Sequence, residues 1–481
     1  MTPTRCAVLC LLAATLGAQP ARSPLSLRVK AQRATVAAGE GIVLDLHVQV
    51  RSALRMESVE LNRDRTQVVV TSLDNPKAPR RLLTGRDHIR LHGVPALSAI
   101  GSEFDVKPGD AWTAQLDLLQ YSLPLERGRY RIETAYRYGA SEKEAVQGNP
   151  IDVTVESAGL EAAQCRWFGD GEPRRHLECL WRVRHGKEAV TLYQSAGARE
   201  LNAVRHAVRV PGLPSAGRPR QGPVLAHLND AAGNHFSRYA VWLHGRNICW
   251  MAVQPRGAAG SSKCGPHGLQ EGALLAEPPL QTKSGGLFAV VTTPGSTSVV
   301  QAAAGGNVDY RLLPLGSAGS AVVVWSINET KPSGRLYLSG ARLRSVDLET
   351  GQQQELGEGG ASPRFLVDQW QGNGQVFAIS GTESLTVKRI GGGEPRKWAM
   401  RAAGQYREAV LTSTAEPPTL VFESPDAWKF LALTAGGGQI LSRANSGTYV
   451  ATVAADSGLY VIAHNPDQGL KAIGPASRAA N

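Results

Sequence analysis

The C-terminal third of the chain repeats itself, and no other feature narrows the fold as much. Four segments open on an apolar run: AVVVWSI, RFLVDQW, EAVLTST and TYVATVA. Their anchors Val322, Phe365, Ala409 and Tyr449 are 43, 44 and 40 residues apart. A second run follows in each (GRLYLSG, GQVFAIS, PTLVFES, GLYVIAH), then a third (LRSVDLETG, LTVKRIGGG, WKFLALTAGGG, LKAIG). A fourth run, QQQELG, EPRKWAM or QILSRA, closes every copy but the last. Each run is short and bounded by Gly, Pro or Asp, which reads as strand and turn rather than helix. A unit of four short strands cannot bury its apolar faces alone, so the copies must stack on one another.

Such a period, about 40–45 residues with four strands, is that of β-propeller blades. The segment SVDLETG resembles the third strand and turn of WD, quinoprotein and surface-antigen repeat propellers. The missing fourth run in the last copy fits a ring whose final blade is completed by a strand from elsewhere in the chain. A set of unrelated hairpins in a second sandwich is the competing reading, and it leaves three matched intervals unexplained. Gly286–Leu315 and Arg238–Gln254 read as earlier, less regular copies, and 158–222 is the least legible stretch, with strands around Cys179–Arg184 and Val190–Gln194. The expectation is a propeller-like domain over 158–476, clearest in 319–476, with six or seven blades.

Upstream, residues 25–157 alternate with period two. Strands are expected at Ser26–Gln32, Ile42–Val50, Thr66–Ser72, Trp112–Leu118, Arg129–Arg137 and Ile151–Glu156, with a seventh near His88–His92. Ala38-Gly39-Glu40-Gly41 and Lys107-Pro108-Gly109-Asp110 are turn clusters. The segment LERGRY, ending at Tyr130, resembles the tyrosine corner of Ig-like and fibronectin-like sandwiches. The longer run from KPGD to RIETAY is similar to bacterial Ig-like modules of the proteinase-inhibitor type. The resemblance implies an Ig-like β-sandwich over 25–157; it does not imply inhibition, since such modules also serve as spacers and adhesive units. The whole chain is therefore expected to be all-β, which its 52 glycines and 4 methionines also favour.

Arg5 followed by the apolar Ala7–Leu16 and the small residues of Leu16-Gly17-Ala18 reads as a signal peptide over 1–18, cleaved after Ala18. Cys10 follows Leu9, a poor fit to a lipoprotein cleavage site. No later segment approaches ~18 unbroken apolar residues, so no transmembrane segment is expected in the mature chain. The expected compartment is secreted or periplasmic. Cys165, Cys179, Cys249 and Cys264 remain after cleavage, in two local pairs around turn-rich loops. Cys165–Cys179 with Cys249–Cys264 is the simplest connectivity of the three that four cysteines allow. Zinc is the rival, but the CxxC spacing of common structural sites is absent.

Charge is concentrated. Residues 157–270 hold 15 Lys/Arg against 7 Asp/Glu, a net of +8 within a chain total of +11. Arg174, Arg175, Arg182, Arg184, Arg205, Arg209, Arg218 and Arg220 stand in that window. Clustered guanidinium groups grip carboxylate, sulfate or phosphate. In an exported protein that points to an anionic glycan or an acidic protein rather than nucleic acid. An ordinary solvated surface is the plainer alternative, because the basic residues are scattered. Seven of the eleven histidines share the window, yet His227, His235 and His244 are eight and nine residues apart, unlike the HxH or HxxxH of metal ligands.

No GxSxG, SxxK, HExxH, DxDxDG or SxDxGxxW motif occurs. Gly391–Gly393 and Gly436–Gly438 end strands at equivalent repeat positions, so turns explain them. Asp368, Glu423 and Asp456 lie near strand ends, where paired carboxylates of a glycosidase could sit, but most such acids are turn residues. Trp325, Trp370 and Trp428 fall in or near repeat strands, where packing between blades is the simplest role. Asn328-Glu329-Thr330 is a lone sequon. No residue is therefore assigned a catalytic, cofactor-binding or metal role. The expected function is that of an exported non-catalytic binding or scaffold protein contacting an anionic glycan or a protein partner; the alternative is an extracellular propeller hydrolase or lyase acting on a polysaccharide.

Overall fold

The computed structural model describes residues 23–56, 66–92, 104–139, 144–168, 176–197, 201–210, 213, 224–227, 238–253, 262–281, 287–302, 308–314, 320–326, 333–360, 363–367, 376–381, 384–392, 394–399, 405–410, 419–434, 437–455 and 458–476. Nearly all of the assigned structure is strand, with one α-helix and one 3-10 turn among the described residues. Residues 1–18, where a signal peptide is expected, and Arg174, Arg175, Arg218, Arg220, His235, Asn328, Asp368, Trp370 and Asp456 lie outside the described residues.

The chain divides into two compact units. One comprises 1–34, 42–121 and 128–154; the other comprises 35–41, 122–127 and 155–481. In the first unit, Val43–Val50 is the centre of an antiparallel sheet between Leu25–Ala31 and Ala111–Asp117. In its second sheet Ile151–Glu156, Gly128–Arg137, Thr66–Ser72 and Arg81–Leu83 follow in that order, and Ala145–Gln147 pairs with Gly128–Arg137. The period-two alternation has the expected consequence: Leu44, Leu46, Val48 and Val50 are buried, and so are Val68, Val70, Ile132 and Val153.

The strand expected near His88–His92 is instead part of a helix, Gly85–His92. Its start is a capping box that alternation does not reveal. The Thr84 backbone N–H and hydroxyl both donate to Asp87 Oδ2, at 2.8 and 3.1 Å. An acid three residues beyond a Thr takes the Thr backbone N–H at the helix start, one half of a capping box, and favours helix.

The second unit is β-propeller-like, a succession of antiparallel meanders. The first runs through Gly159–Phe168, His176–His185, Glu188–Gly197 and Val204–Arg209. The second runs through Val224–His227, Arg238–His244, Asn247–Val253 and Lys263–Pro266, and the third through Leu274–Gln281, Leu287–Thr292, Ser296–Ala302 and Val308–Pro314. The fourth begins at Ser320–Ser326, the fifth at Arg364–Val367 and the sixth at Gln405–Val410, each with four strands. The last has three among the described residues, Thr448–Ala455, Gly458–Asn465 and Gly469–Ala476.

First strands adjoin across meanders. His227 pairs in parallel with Leu280, and Glu277 with Val322. Gly159–Phe168 of the first meander lies against Thr448–Ala455 of the last. One core holds Leu177, Trp181 and Leu192 together with Val453, Ile462 and Leu470, so the two ends of the series share a hydrophobic interior. Trp428 is fully buried in a core shared by the sixth and last meanders, and Trp325 stacks on Phe288 of the third at 6.0 Å. Both therefore pack between meanders, as their places in the repeat suggest.

Cys165–Cys179 and Cys249–Cys264 are disulfides, the expected pairs. In each the two cysteines face each other across neighbouring strands. No helix among the described residues is long and apolar enough to cross a membrane.

Candidate functional site

Of the three acids singled out by the sequence only Glu423 lies among the described residues, and it and several other charged side chains hold the fold together. Glu423 accepts from Arg407 Nε at 2.5 Å, an ion pair within the sixth meander. Glu161 takes both Arg182 at 3.1 Å and Arg184 at 2.6 Å. Glu178, fully buried, meets His176 Nε2 at 2.6 Å, and His185 meets Glu156 at 2.9 Å. Arg209 clasps Glu40 with two hydrogen bonds, 2.6 and 3.0 Å, and the Ala37 N–H adds a third to the same carboxylate. Arg205 is largely buried, which pulls its guanidinium below its ordinary range. Arg182, Arg184 and Arg209 are thus tied to glutamates and Arg205 is folded inward, while Arg246 is exposed and bonds the Leu269 carbonyl.

The histidines do not converge. His227 pairs with Arg238, and His244 lies six positions further along the same strand, about 20 Å away at strand rise. Among the described residues no group of three His, Cys, Asp or Glu could hold a metal ion.

A groove of about 470 Å³ opens in the first unit, lined by Phe104, Asp105, Val106, Asp110, Trp112 and Thr113. Its construction is local. Phe104–Val106 pairs with Leu54–Met56. The chain then reverses at Lys107–Asp110, where the Asp110 N–H donates to the Lys107 carbonyl at 3.0 Å. Asp110 Oδ2 accepts from the Lys107 N–H at 2.8 Å, and Gly109 takes the positive φ (96°) the turn demands. Val50 pins both sides of this turn through its carbonyl and N–H.

The reversal sets Phe104 beside Trp112, with ring centroids 6.1 Å apart and planes at 70°. Phe104 stays 39% exposed. Asp105 and Asp110 flank the corner, both exposed, and neither is in an ion pair among the described residues. Thr113 hydrogen-bonds His47 at 2.9 Å on the adjoining strand. An aromatic corner flanked by two exposed carboxylates suits ammonium and guanidinium groups better than anions. In the sequence KPGD reads as a turn and Trp112 as a strand residue only. The signal was the symmetry of FDVKPGDAW, an aromatic residue and an acid on each side of one turn.

No family model and no curated protein matches the chain. Among solved structures, TolB from Acinetobacter baumannii is similar at 10% identity over 66% of this chain and 79% of that one, with a TM-score of 0.35. A quinonprotein alcohol dehydrogenase-like protein from Bacteroides thetaiotaomicron is 10% identical over 89% and 87%, with a TM-score of 0.30. An oligogalacturonate lyase in complex with manganese is 11% identical over 61% and 99%, at 0.25. At such scores none of these likenesses bears on what the chain binds or does.

Proposed function

We propose that the chain is an exported, non-catalytic binding or scaffold protein, an Ig-like sandwich over 25–157 followed by a seven-bladed propeller over 158–476. In this reading the sandwich grips a protein partner through a lysine or arginine side chain seated in the Phe104–Trp112 corner. The carrying observation is that corner, with exposed Asp105 and Asp110 beside it on a chain of net charge +11. The choice of a basic protein over an anionic glycan is supported by where the charges stand. Arg182, Arg184 and Arg209 are already ion-paired, while among the described residues Asp105 and Asp110 are not. The seven-blade count is supported by six four-stranded meanders and a three-stranded one whose core joins the first. A periplasmic or extracellular location is supported by the two disulfides.

The test is to probe the mature chain with glycan and peptide arrays at low and at physiological salt. Binding to lysine- or arginine-containing peptides supports the proposal. Binding confined to sulfated or uronic-acid glycans, and lost as salt rises, would move the function to the basic 158–270 region.

A further inference from the structure

The last meander ends on an edge. Gly469–Ala476 pairs with Gly458–Asn465 on one side, and no fourth strand covers the other among the described residues. Such an edge exposes backbone donors and acceptors that elsewhere in the unit are paired. Here a side chain takes the place of a strand. Asn202, on the turn before Val204–Arg209 of the first meander, donates from Nδ2 to the Ala472 carbonyl at 3.0 Å. Its Oδ1 accepts from the Ala472 N–H, also at 3.0 Å. A carboxamide presents the same donor and acceptor as a peptide group, so these two bonds copy one rung of a β-ladder.

Two short segments act on the same hairpin from the side of its turn, and both belong to the second unit. In 122–127, the Arg127 N–H donates to the Asp467 carbonyl at 2.8 Å, and Glu126 accepts from Gln468 Nε2 at 2.7 Å and meets Lys471 at 3.6 Å. In 35–41, Gly39 lies directly against Gly469. A Cβ at Gly39 would stand 2.9 Å from the Gly469 Cα and 2.9 Å from Trp181 Cη2; one at Gly469 would stand 2.6 Å from the Gly39 Cα. Both glycines have positive φ, 86° and 78°, so substitution at either is strained twice over. The 35–41 segment is itself anchored on the first meander by Glu40–Arg209 and by the Gly41 N–H on the Ala207 carbonyl, 2.7 Å. At the other flank Ala158 N–H bonds the Pro466 carbonyl at 2.9 Å, and Ser157 bonds Asp467.

We propose that the propeller-like unit is shut by a polar clasp in place of a shared strand: Asn202 takes the place of a fourth strand at Ala472, and 35–41 with 122–127 pin the turn of the same hairpin. The final meander is then the gate of the ring. It opens by releasing these side chains and loops and parting the core that Trp181 shares with Ile462, without breaking a continuous ladder, so its opening equilibrium is set separately from that of the other meanders.

Hydrogen exchange on the full mature chain tests this. In the wild type the Ala472 N–H, at an otherwise unpaired edge, exchanges as slowly as interior ladder amides; rapid exchange there overturns the proposal without any variant. In Asn202→Ala the amides of Gly469–Ala476 exchange about tenfold faster, while those of Thr419–Glu423 and Leu287–Thr292 keep their wild-type rates. Asn202→Asp, which keeps the acceptor and loses the donor, falls between. No change in Gly469–Ala476, or an equal acceleration in every meander, contradicts the clasp.

Discussion

His464 lies against Trp181 across the first and last meanders, ring centroids 5.6 Å apart, and neither of its ring nitrogens has a hydrogen-bond partner among the described residues. It is 1% exposed, and burial pulls its pKa down to about 4. The folded state therefore holds the neutral ring, while the unfolded chain binds a proton near pH 6.5. Stability from this residue is complete above pH 6.5, declines as pH falls towards 4, and declines no further below it. The span corresponds to about 3 kcal/mol. His464→Leu flattens that part of the profile, measured as urea midpoints at pH 7.5, 5.5 and 4; an unchanged slope would rule the histidine out.

Asp117 carries the opposite dependence. Its carboxylate caps the turn Leu118–Gln120 by accepting the Leu119 N–H at 2.9 Å, but burial pushes its pKa up to about 7. The folded state binds this proton more tightly than the unfolded chain, so the residue costs stability above pH 7 and none below about 4. Asn keeps the cap without the charge. Asp117→Asn is expected to gain on the order of 1 kcal/mol at pH 8, discounted for the solvent reaching the half-buried carboxyl, and nothing at pH 4. Thermal unfolding of the variant at both pH values decides it.

The ion pair of Glu40 and Arg209, with side chains 4% and 13% exposed, is held by geometry rather than by favourable exchange with water. Arg209→Met strands a buried carboxylate and is expected to cost about 3–5 kcal/mol. Adding Glu40→Gln recovers most of that loss. A double-mutant cycle in urea measures the coupling, and simple additivity would show that the pair is not a unit.

Each disulfide joins cysteines that already face each other, 14 and 15 residues apart. Replacing either pair by alanine is expected to cost about 3 kcal/mol through the freed loop. Cys179 sits in the core that joins the first and last meanders, so its loss should also speed exchange in Gly469–Ala476; loss of Cys249–Cys264 should not.

How much of this was legible depended on distance along the chain. The repeat strands beginning at Ser320–Ser326, Arg364–Val367, Gln405–Val410 and Thr448–Ala455 stand where the 40–44-residue period puts them, because blade patterning is local. Both disulfides were legible for the same reason. The helix at Gly85–His92 was missed because its capping box outweighs the β-compatible look of its residues. Asn202 and Ala472 are 270 residues apart, and nothing in either neighbourhood marks the other. The groove fell between these cases: Phe104 and Trp112 are close in sequence, but only the Lys107–Asp110 reversal turns them into one corner.

The most direct measurement is titration of the mature chain with a short lysine- and arginine-containing peptide, beside Trp112→Ala and the double variant Asp105→Asn/Asp110→Asn. Both variants keep their fold in circular dichroism on this account, because the substituted groups are at least partly exposed. Binding that weakens roughly tenfold in either variant, and weakens as salt rises in the wild type, is the predicted result. Equal binding by all three proteins, or none by the wild type, would contradict the groove as the site of partner recognition.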